Sequence, residues 1–246
     1  MLLAIDVGNT NITFGLFEGK RIIHTFNIPT NAYTLDKLKV KLPKKGIKDT
    51  VICSVVPRIT WRLRKDLLAL SREKPYIIGK DILVPIRNLY HKPKQVGQDR
   101  LVNAYAALSL YGAPLIAIDF GTAITFDIIS KKKEYLGGMI LPGLKISLEA
   151  LNQRTALLPK VRLGRPSDFI GRDTKNSMLS GIVYGFGSLT DELIMRIRKV
   201  IGQNALAIAT GGNTELIFKY CRKINKINTN LTLKGLNMLY LYKKNT

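Results

Sequence analysis

Two acidic turns are the residues of this chain best suited to phosphate chemistry. Asp6 opens the run Asp-Val-Gly-Asn-Thr after an apolar stretch, and Asp119 opens Asp-Phe-Gly-Thr-Ala in the same setting. Glycine lets a backbone approach a phosphate closely, hydroxyl and amide groups can donate hydrogen bonds, and an aspartate can hold a divalent cation. Each turn could therefore cradle a nucleotide phosphate, although the same residue types are also common in simple hairpin turns.

A third carboxylate is a candidate base. Asp99 lies in Val-Gly-Gln-Asp-Arg at residues 96–100, where a loop leads into a helix predicted over residues 99–111. Phosphoryl transfer depends on positioning and charge stabilisation, and a carboxylate there could accept the proton of an acceptor hydroxyl. Arg100 could neutralise a nearby anionic group. The alternative is that Asp99 is only the N-cap of the helix.

Several other site types lack the residues they need. The sequence has no GxxxxGK[ST] phosphate loop and no GxGxxG run after a strand. The two cysteines, Cys53 and Cys221, form no CxxC pair. With only two histidines, His24 and His91, the chain has little material for a histidine-based zinc site or a Ser-His-Asp triad. We expect both cysteines to be reduced, as in a cytosolic protein.

The net charge of +22 is spread evenly, with an excess of +11 in residues 1–110 and the same excess in residues 111–246. A dedicated nucleic-acid binder usually concentrates its charge on one face or motif, so we expect no specific nucleic-acid partner. We also find neither a signal-peptide pattern nor an apolar run of about 20 residues. A cytoplasmic location without a membrane partner is therefore expected.

The elements that must position these residues repeat within the chain. Residues 2–17 and 115–129 share an apolar strand, an aspartate, a glycine two positions later and a second apolar strand. Strands and helices alternate elsewhere, which favours an α/β fold. The repeat predicts a duplication, with domains at 1–112 and 113–246 facing each other across a cleft.

A third glycine-containing element, Ala-Thr-Gly-Gly-Asn at residues 209–213, follows another apolar strand. Its glycines suit a close approach to a nucleotide base or sugar. Three such elements in this order resemble the actin-like ATPase superfamily, whose domains have a ribonuclease H-like fold and which includes sugar and acid kinases.

The resemblance narrows when longer segments are compared. The chain contains, in order, DVGNTNITFGLF, PKQVGQDRLVNAYAAL, IDFGTAITFDII, YLGGMILPGL, TALLP, GRDTKNSMLSGIVYG and ATGGN. This set resembles the type III pantothenate kinases along nearly the whole chain. It implies ATP-dependent phosphorylation of pantothenate to 4′-phosphopantothenate, the first step of coenzyme A biosynthesis. It also implies a cytoplasmic homodimer with its active site near the subunit interface, a monovalent cation (K⁺ or NH₄⁺), and Mg²⁺ with ATP.

The same resemblance assigns roles to individual residues. Asp99 matches the proton acceptor, and Asp119 matches the ligand of the monovalent cation. ATP binding falls to Asp6, Val7, Gly8, Asn9, Thr10, Asn11, Ile12, Thr13 and Thr122. Pantothenate binding falls to Tyr90, Gly97, Gln98, Asp99, Arg100 and Thr174, the last of these near the neighbouring subunit's site.

One position departs from the family pattern, because Gln98 stands where these kinases usually have alanine. A larger polar side chain beside the substrate could alter pantothenate affinity. Two other functions stay open on the sequence alone. One is a kinase of the same superfamily that acts on sugars or short acids, and the other is a non-catalytic transcriptional regulator, which the basic charge would suit.

Overall fold

The computed structural model describes residues 1–43, 46–71 and 73–245. Their contacts divide the chain into two compact units. Unit 1 contains residues 1–86, 91–106 and 231–246, and unit 2 contains residues 87–90 and 107–230. No helix in the described part of the chain is long and apolar enough to cross a membrane.

Unit 1 is built on a five-stranded sheet. Its strands are β1 (Leu2–Val7), β2 (Asn11–Glu18), β3 (Arg21–Pro29), β4 (Asp49–Ser54) and β5 (Tyr76–Ile77). Their order is β3-β2-β1-β4-β5, in which the β1–β2–β3 meander is antiparallel and β4 and β5 run parallel to β1.

Helices cover both faces of this sheet. Helices α1 (Leu35–Lys41) and α2 (Pro57–Ser71) bury Leu38, Leu63 and Leu67 against one face. Helices α3 (Gln98–Tyr111) and α7 (Leu231–Lys244) pack on the other face. Side chains alternate between the faces of a strand, so β1 sends Leu3, Ile5 and Val7 toward α1 and α2. Leu2 and Ala4 point toward α3 and α7, and Asp6 follows them in the alternation.

Unit 2 repeats the architecture. Its strands are β6 (Leu115–Phe120), β7 (Ala123–Ile129), β8 (Tyr135–Pro142), β9 (Leu206–Thr210) and β10 (Lys226–Ile227). Their order is β10-β9-β6-β7-β8, again an antiparallel meander followed by two parallel strands. The prediction of an α/β fold with two similar units is therefore confirmed, and Asp119 of β6 stands where Asp6 stands in β1.

The helices of unit 2 are α4 (Leu144–Arg154), α5 (Thr174–Ile201) and the short α6 (Thr214–Ile217). Together with the sheet they enclose one apolar core, which includes Phe120, Phe126 and Leu148. Helix α5 is 28 residues long. Asp173 caps its N-terminus by accepting a hydrogen bond from the Asn176 backbone N–H at 2.8 Å.

Helix α7 does not belong to the unit in which the sequence placed it. The sequence analysis placed residues 113–246 in one domain, but α7 belongs to unit 1. A Cβ on Gly15 of β2 would lie 2.9 Å from Leu233 Cδ1, and one on Gly235 would lie 2.7 Å from Val102 Cγ1 of α3. The chain thus returns at its end to complete the core of unit 1.

Candidate active site

In unit 1, the turn between β1 and β2 presents polar groups to solvent. The Gly8 N–H donates to Asn11 O at 3.0 Å, and Thr30 Oγ1 donates to Gly8 O at 2.7 Å. The intervening Asn9 and Thr10 are exposed, as is Asn11. This turn offers exposed amide and hydroxyl groups of the kind that bind phosphate oxygens.

Two residues of the predicted ATP-binding run have side chains that face elsewhere. Val7 and Ile12 are fully buried in the core against α1 and α2. They can therefore offer a nucleotide only their backbone groups. Asp6 and Thr13 are neighbours in the β1–β2 register and are partly exposed.

Asp99 lies in the first turn of α3, which begins at Gln98. The Leu101 N–H donates to Gly97 O, which makes Gly97 the capping residue. The Asp99 carboxylate instead accepts a hydrogen bond from the Arg100 N–H at 2.9 Å. The alternative role of Asp99 as a simple N-cap is thus not the one observed.

Burial raises the pKa of the Asp99 carboxyl above its ordinary value, and the backbone N–H and positive charge of Arg100 partly oppose this rise. Arg100 is itself only 7% exposed. A carboxylate with a raised pKa is a stronger proton acceptor than a free aspartate. Arg100 can stabilise the carboxylate before it takes up a proton.

Gly97 leaves the space that the Asp99 carboxylate occupies. A Cβ on residue 97 would lie much closer to Asp99 Oδ1 than the 3.0 Å that real Cβ atoms respect. Gly79 has the same relation to Gln98, because its Cβ would lie 2.7 Å from Gln98 Cδ and 2.8 Å from Oε1. The Gln98 amide therefore packs over the turn that follows β5.

Cys53 is influenced electrostatically by both Asp6 and Asp99. It lies on β4 opposite Asp6 in the parallel register. Burial raises the pKa of its thiol well above the usual value, and the negative charges of Asp6 and Asp99 raise it further. The thiol therefore stays neutral between the two carboxylates. The sequence analysis did not assign Cys53 to the site, although its place at the end of an apolar strand parallel to β1 was a usable signal.

In unit 2, two glycine-containing turns meet at Asp119. Gly211, with a φ of 97°, approaches so closely that a Cβ there would collide with Asp119 Oδ1 and would lie 2.7 Å from the Phe120 backbone. Asn213 donates to Phe120 O through its backbone N–H and through Nδ2, each at 3.1 Å. The turn at residues 119–122 and the turn at 210–213 thus form one structure.

Thr122 is exposed at this site, and Gly143 supports its backbone. The Gly143 N–H donates to Thr122 O at 3.1 Å, and any Cβ on residue 143 would collide with that oxygen. Gly143 was not predicted as a site residue. The Pro-Gly pair at residues 142–143, just before a helix, was the only local signal.

Several oxygen atoms of the Asp119 turn could serve as cation ligands. Besides the carboxylate, the backbone carbonyls of Phe120 and Gly121 lie in the same turn, where each accepts a hydrogen bond from Asn213 Nδ2. The described residues contain no group of three histidine, cysteine or acidic side chains able to hold a metal ion. One carboxylate with carbonyl oxygens fits a hard cation of low charge better than a transition metal.

The remaining predicted residues are held in separate places within unit 2. The Tyr90 ring lies over Gly137 of β8, where a Cβ would be 3.3 Å from Cδ2, and the Tyr90 N–H donates to Asn88 Oδ1. Thr174 is the exposed first residue of α5.

Comparison with known proteins identifies the family of this chain. The sequence model for type III pantothenate kinases matches residues 2–196. A type III pantothenate kinase of Syntrophus aciditrophicus is 40% identical over 251 residues, and one of Geobacter sulfurreducens is 42% identical over 250 residues. Each alignment covers 98% of both chains.

Solved structures share the fold at lower sequence identity. A Campylobacter jejuni protein described as a Baf family transcriptional activator has a TM-score of 0.61 and 18% identity, and covers 99% of this chain and 100% of its own. Component A of the (R)-2-hydroxyglutaryl-CoA dehydratase of Acidaminococcus fermentans has a TM-score of 0.54 and 14% identity, with 99% and 98% coverage. Full-length relatives at 40% identity and the family match together establish that this chain belongs to the type III pantothenate kinase family.

Proposed function

We propose that this chain transfers the γ-phosphoryl group of ATP to the primary hydroxyl of pantothenate, giving 4′-phosphopantothenate. The observation that carries the proposal is the partly buried Asp99 carboxylate at the start of α3, with its raised pKa and with Arg100 beside it. Family membership supplies the substrate pair, and the geometry supplies a base of the required kind.

Asp99 acts as the proton acceptor. Its carboxylate takes the proton of the substrate hydroxyl as the oxygen attacks the γ-phosphorus and the bond to the β-phosphate oxygen breaks. Because Gly97 has no side chain, the Asp99 carboxylate can occupy the adjacent space, and the Gln98 amide packs against Gly79 next to it. Arg100, with Tyr90 and Thr174 from unit 2, is assigned to binding pantothenate.

The turn from Asp6 to Thr13 binds the ATP phosphates through its exposed amides and hydroxyls, and Thr122 makes a further contact. Mg²⁺ carried by ATP would supply positive charge to the phosphates. Asp6 is placed at the end of β1, where its carboxylate can hold the metal directly or through water.

Asp119 holds a monovalent cation, K⁺ or NH₄⁺, together with backbone carbonyls of its own turn. The oxygen-only donor set and the single carboxylate support this choice. Gly211 and Asn213 fix the carboxylate and the turn in place.

We also propose that the active unit is a cytoplasmic homodimer. Phe169 and Ile170 are 67% and 73% exposed in the segment that leads to Thr174. The Phe169 ring packs edge-to-face against the Tyr184 ring, with the ring centroids 4.8 Å apart. This contact holds the Phe169 ring against α5. Sedimentation of Phe169→Asp should show a monomer, whereas Val200→Asp, at an even more exposed apolar position on α5, should remain dimeric.

The function is tested by measuring ATP-dependent phosphorylation of pantothenate with Mg²⁺ and with K⁺, NH₄⁺ or Na⁺. Asp99→Asn should lower kcat by about 10²- to 10⁴-fold, the usual contribution of a general base. Asp36→Asn, which removes a carboxylate of α1 in the same unit, should leave kcat unchanged. Turnover of sugars or short hydroxy acids, but not of pantothenate, would reject the proposed substrate.

A further inference from the structure

The outward surface of helices α1 and α2 has an unusual composition. On α2, Leu63 and Leu67 face the core, and the opposite stripe carries Arg58, Trp61 and Lys65 followed by Leu68. Trp61, the only tryptophan in the chain, is 69% exposed. Tryptophan is usually well buried, so its position here on a basic stripe requires an explanation.

Helix α1 extends the same surface. Tyr33, just before α1, donates from its hydroxyl to Asp66 Oδ2 of α2 at 2.9 Å, and the Arg62 guanidinium lies 5.4 Å from the Tyr33 ring centroid. The two helices are therefore neighbours over one face of the sheet. Val40 of α1 is 88% exposed. We call this surface the α1–α2 face, defined by Val40, Arg58, Trp61, Lys65 and Leu68.

An apolar groove lies beside Val40, between α1 and the edge strand β3. Its volume is about 470 Å³, and its walls include Ile28, Pro29 and Ala32. Lys37, Lys41 and the acidic Asp36 line it as well. Lysine stems are apolar and their ends are charged, so the groove combines an apolar wall with a rim of two lysines and one aspartate.

Positive charge dominates this layer. Helices α1 and α2 contain seven lysine and arginine residues but only two acidic ones, Asp36 and Asp66. Asp66 is turned toward Tyr33 and lies 4.0 Å from Arg62, so part of its charge is engaged within the layer. The face therefore presents a net positive charge to any partner.

We propose that the α1–α2 face binds the surface of an anionic lipid bilayer. Basic side chains attract acidic headgroups, and tryptophan favours the boundary between headgroups and acyl chains. The aliphatic Val40 and Leu68 and the groove favour lipid over a nucleic acid, since aliphatic groups insert among acyl chains but do not stack on bases. Binding at a surface needs no membrane-spanning helix.

The position of this face leaves the predicted base accessible. α1 and α2 cover one face of the sheet of unit 1, whereas α3, which carries Asp99, packs on the other. A bilayer in contact with the α1–α2 face would thus lie on the side away from Asp99. We expect vesicle binding to leave phosphoryl transfer unchanged within about twofold.

Trp61 provides a direct test, because a single tryptophan reports its own environment. The native protein is titrated with vesicles of phosphatidylcholine and phosphatidylglycerol at a 1:1 ratio, and with pure phosphatidylcholine. Emission should shift to shorter wavelength only with the anionic vesicles, and the shift should weaken as salt is raised from 0.05 to 0.5 M, where screening is stronger. No shift with anionic vesicles at low salt would overturn the proposal.

Matched variants locate the surface, with binding measured by vesicle flotation. Arg58→Gln/Lys65→Gln should lower partitioning by about tenfold to thirtyfold, as expected for two basic residues at a membrane surface. Lys132→Gln/Lys133→Gln, an equal loss of charge from an exposed turn of unit 2, should have little effect. Trp61→Ala should weaken flotation, whereas Val200→Ala should not.

Two outcomes would contradict the assignment. Equal losses in the two double variants would mean that diffuse charge, rather than this face, drives binding. Salt-sensitive quenching of Trp61 by single-stranded RNA, without any response to anionic vesicles, would identify a nucleic-acid surface instead. Circular dichroism of each variant confirms that the fold is retained.

Discussion

Replacing Gly97 by alanine tests the proposed position of the base without removing any functional group. A Cβ there would intrude on Asp99 Oδ1, and ordinary contacts begin near 3.4 Å, so the carboxylate must retreat by about 1 Å. The clash is with the end of a side chain that can rotate, and Gly97 is not in the positive-φ region. The cost in folding free energy should therefore be small.

The cost in catalysis should be large. A misplacement of about 1 Å at a reacting group lowers rates by about 10²-fold. We expect Gly97→Ala to lower kcat by that factor, with a melting temperature within a few degrees of the native value. The measurements are steady-state kinetics in ATP and pantothenate and thermal unfolding followed by circular dichroism.

Gly185→Ala is the control, because a Cβ at that position of α5 meets nothing within 4 Å. It should keep native kcat and should not lower the melting temperature, since alanine is the better helix former. A Gly97→Ala enzyme with kcat within threefold of native would refute the reasoning. Loss of folding would show instead that Gly97 is needed for structure.

Three further predictions concern Asp99, Gly211 and Gln98. Burial raises the folded-state pKa of Asp99, so the native state binds a proton more readily than the unfolded state. Stability should therefore fall as pH rises from the unfolded-state pKa through the folded-state pKa of this group. Asp99→Asn should be at least as stable as the native enzyme at pH 7, although its kcat is lowered by about 10²- to 10⁴-fold. The acid limb of the kcat profile of the native enzyme should accordingly lie above the pKa of a free aspartate. In Gly211→Ala, the added Cβ would collide with the Asp119 carboxylate and the Phe120 backbone, and alanine would have to adopt a positive φ. This variant should lower the free energy of unfolding in urea by about 1 to 3 kcal/mol and should weaken any activation by K⁺. Gln98→Ala empties the space over Gly79, and should change the KM for pantothenate more than the KM for ATP; equal changes would argue against its assignment to the substrate segment.

Much of the fold was predictable because its signals are local. The two strand–turn–strand repeats and their Asp-x-Gly turns indicated the duplication, and the identical strand orders of the two sheets confirm it. Helix α3 was expected from residue 99 and begins at Gln98, and α5 was expected over residues 174–201 and spans that range. Apolar periodicity and capping residues are sufficient for elements of this length.

The remaining features depend on contacts between distant residues. Nothing near residues 231–246 indicates that α7 packs against Gly15 and Val102, since that contact joins the two ends of the chain. The pairing of Gly79 with Gln98 is likewise visible only after folding. The buried side chains of Val7 and Ile12 could have been inferred from strand alternation, but matching a family motif does not separate backbone contacts from side-chain contacts.

The return of α7 to unit 1 has a consequence for how the protein is made. Ribosomes deliver the chain from the N-terminus, so β1 and β4 emerge long before the Leu233, Leu236 and Leu239 side chains that cover them. The continuous segment 107–230 can complete unit 2 first, although it is synthesised later than most of unit 1. A prematurely terminated chain would keep an apolar sheet face open to chaperones and proteases. A chain that stops before residue 231 therefore cannot complete the core of unit 1.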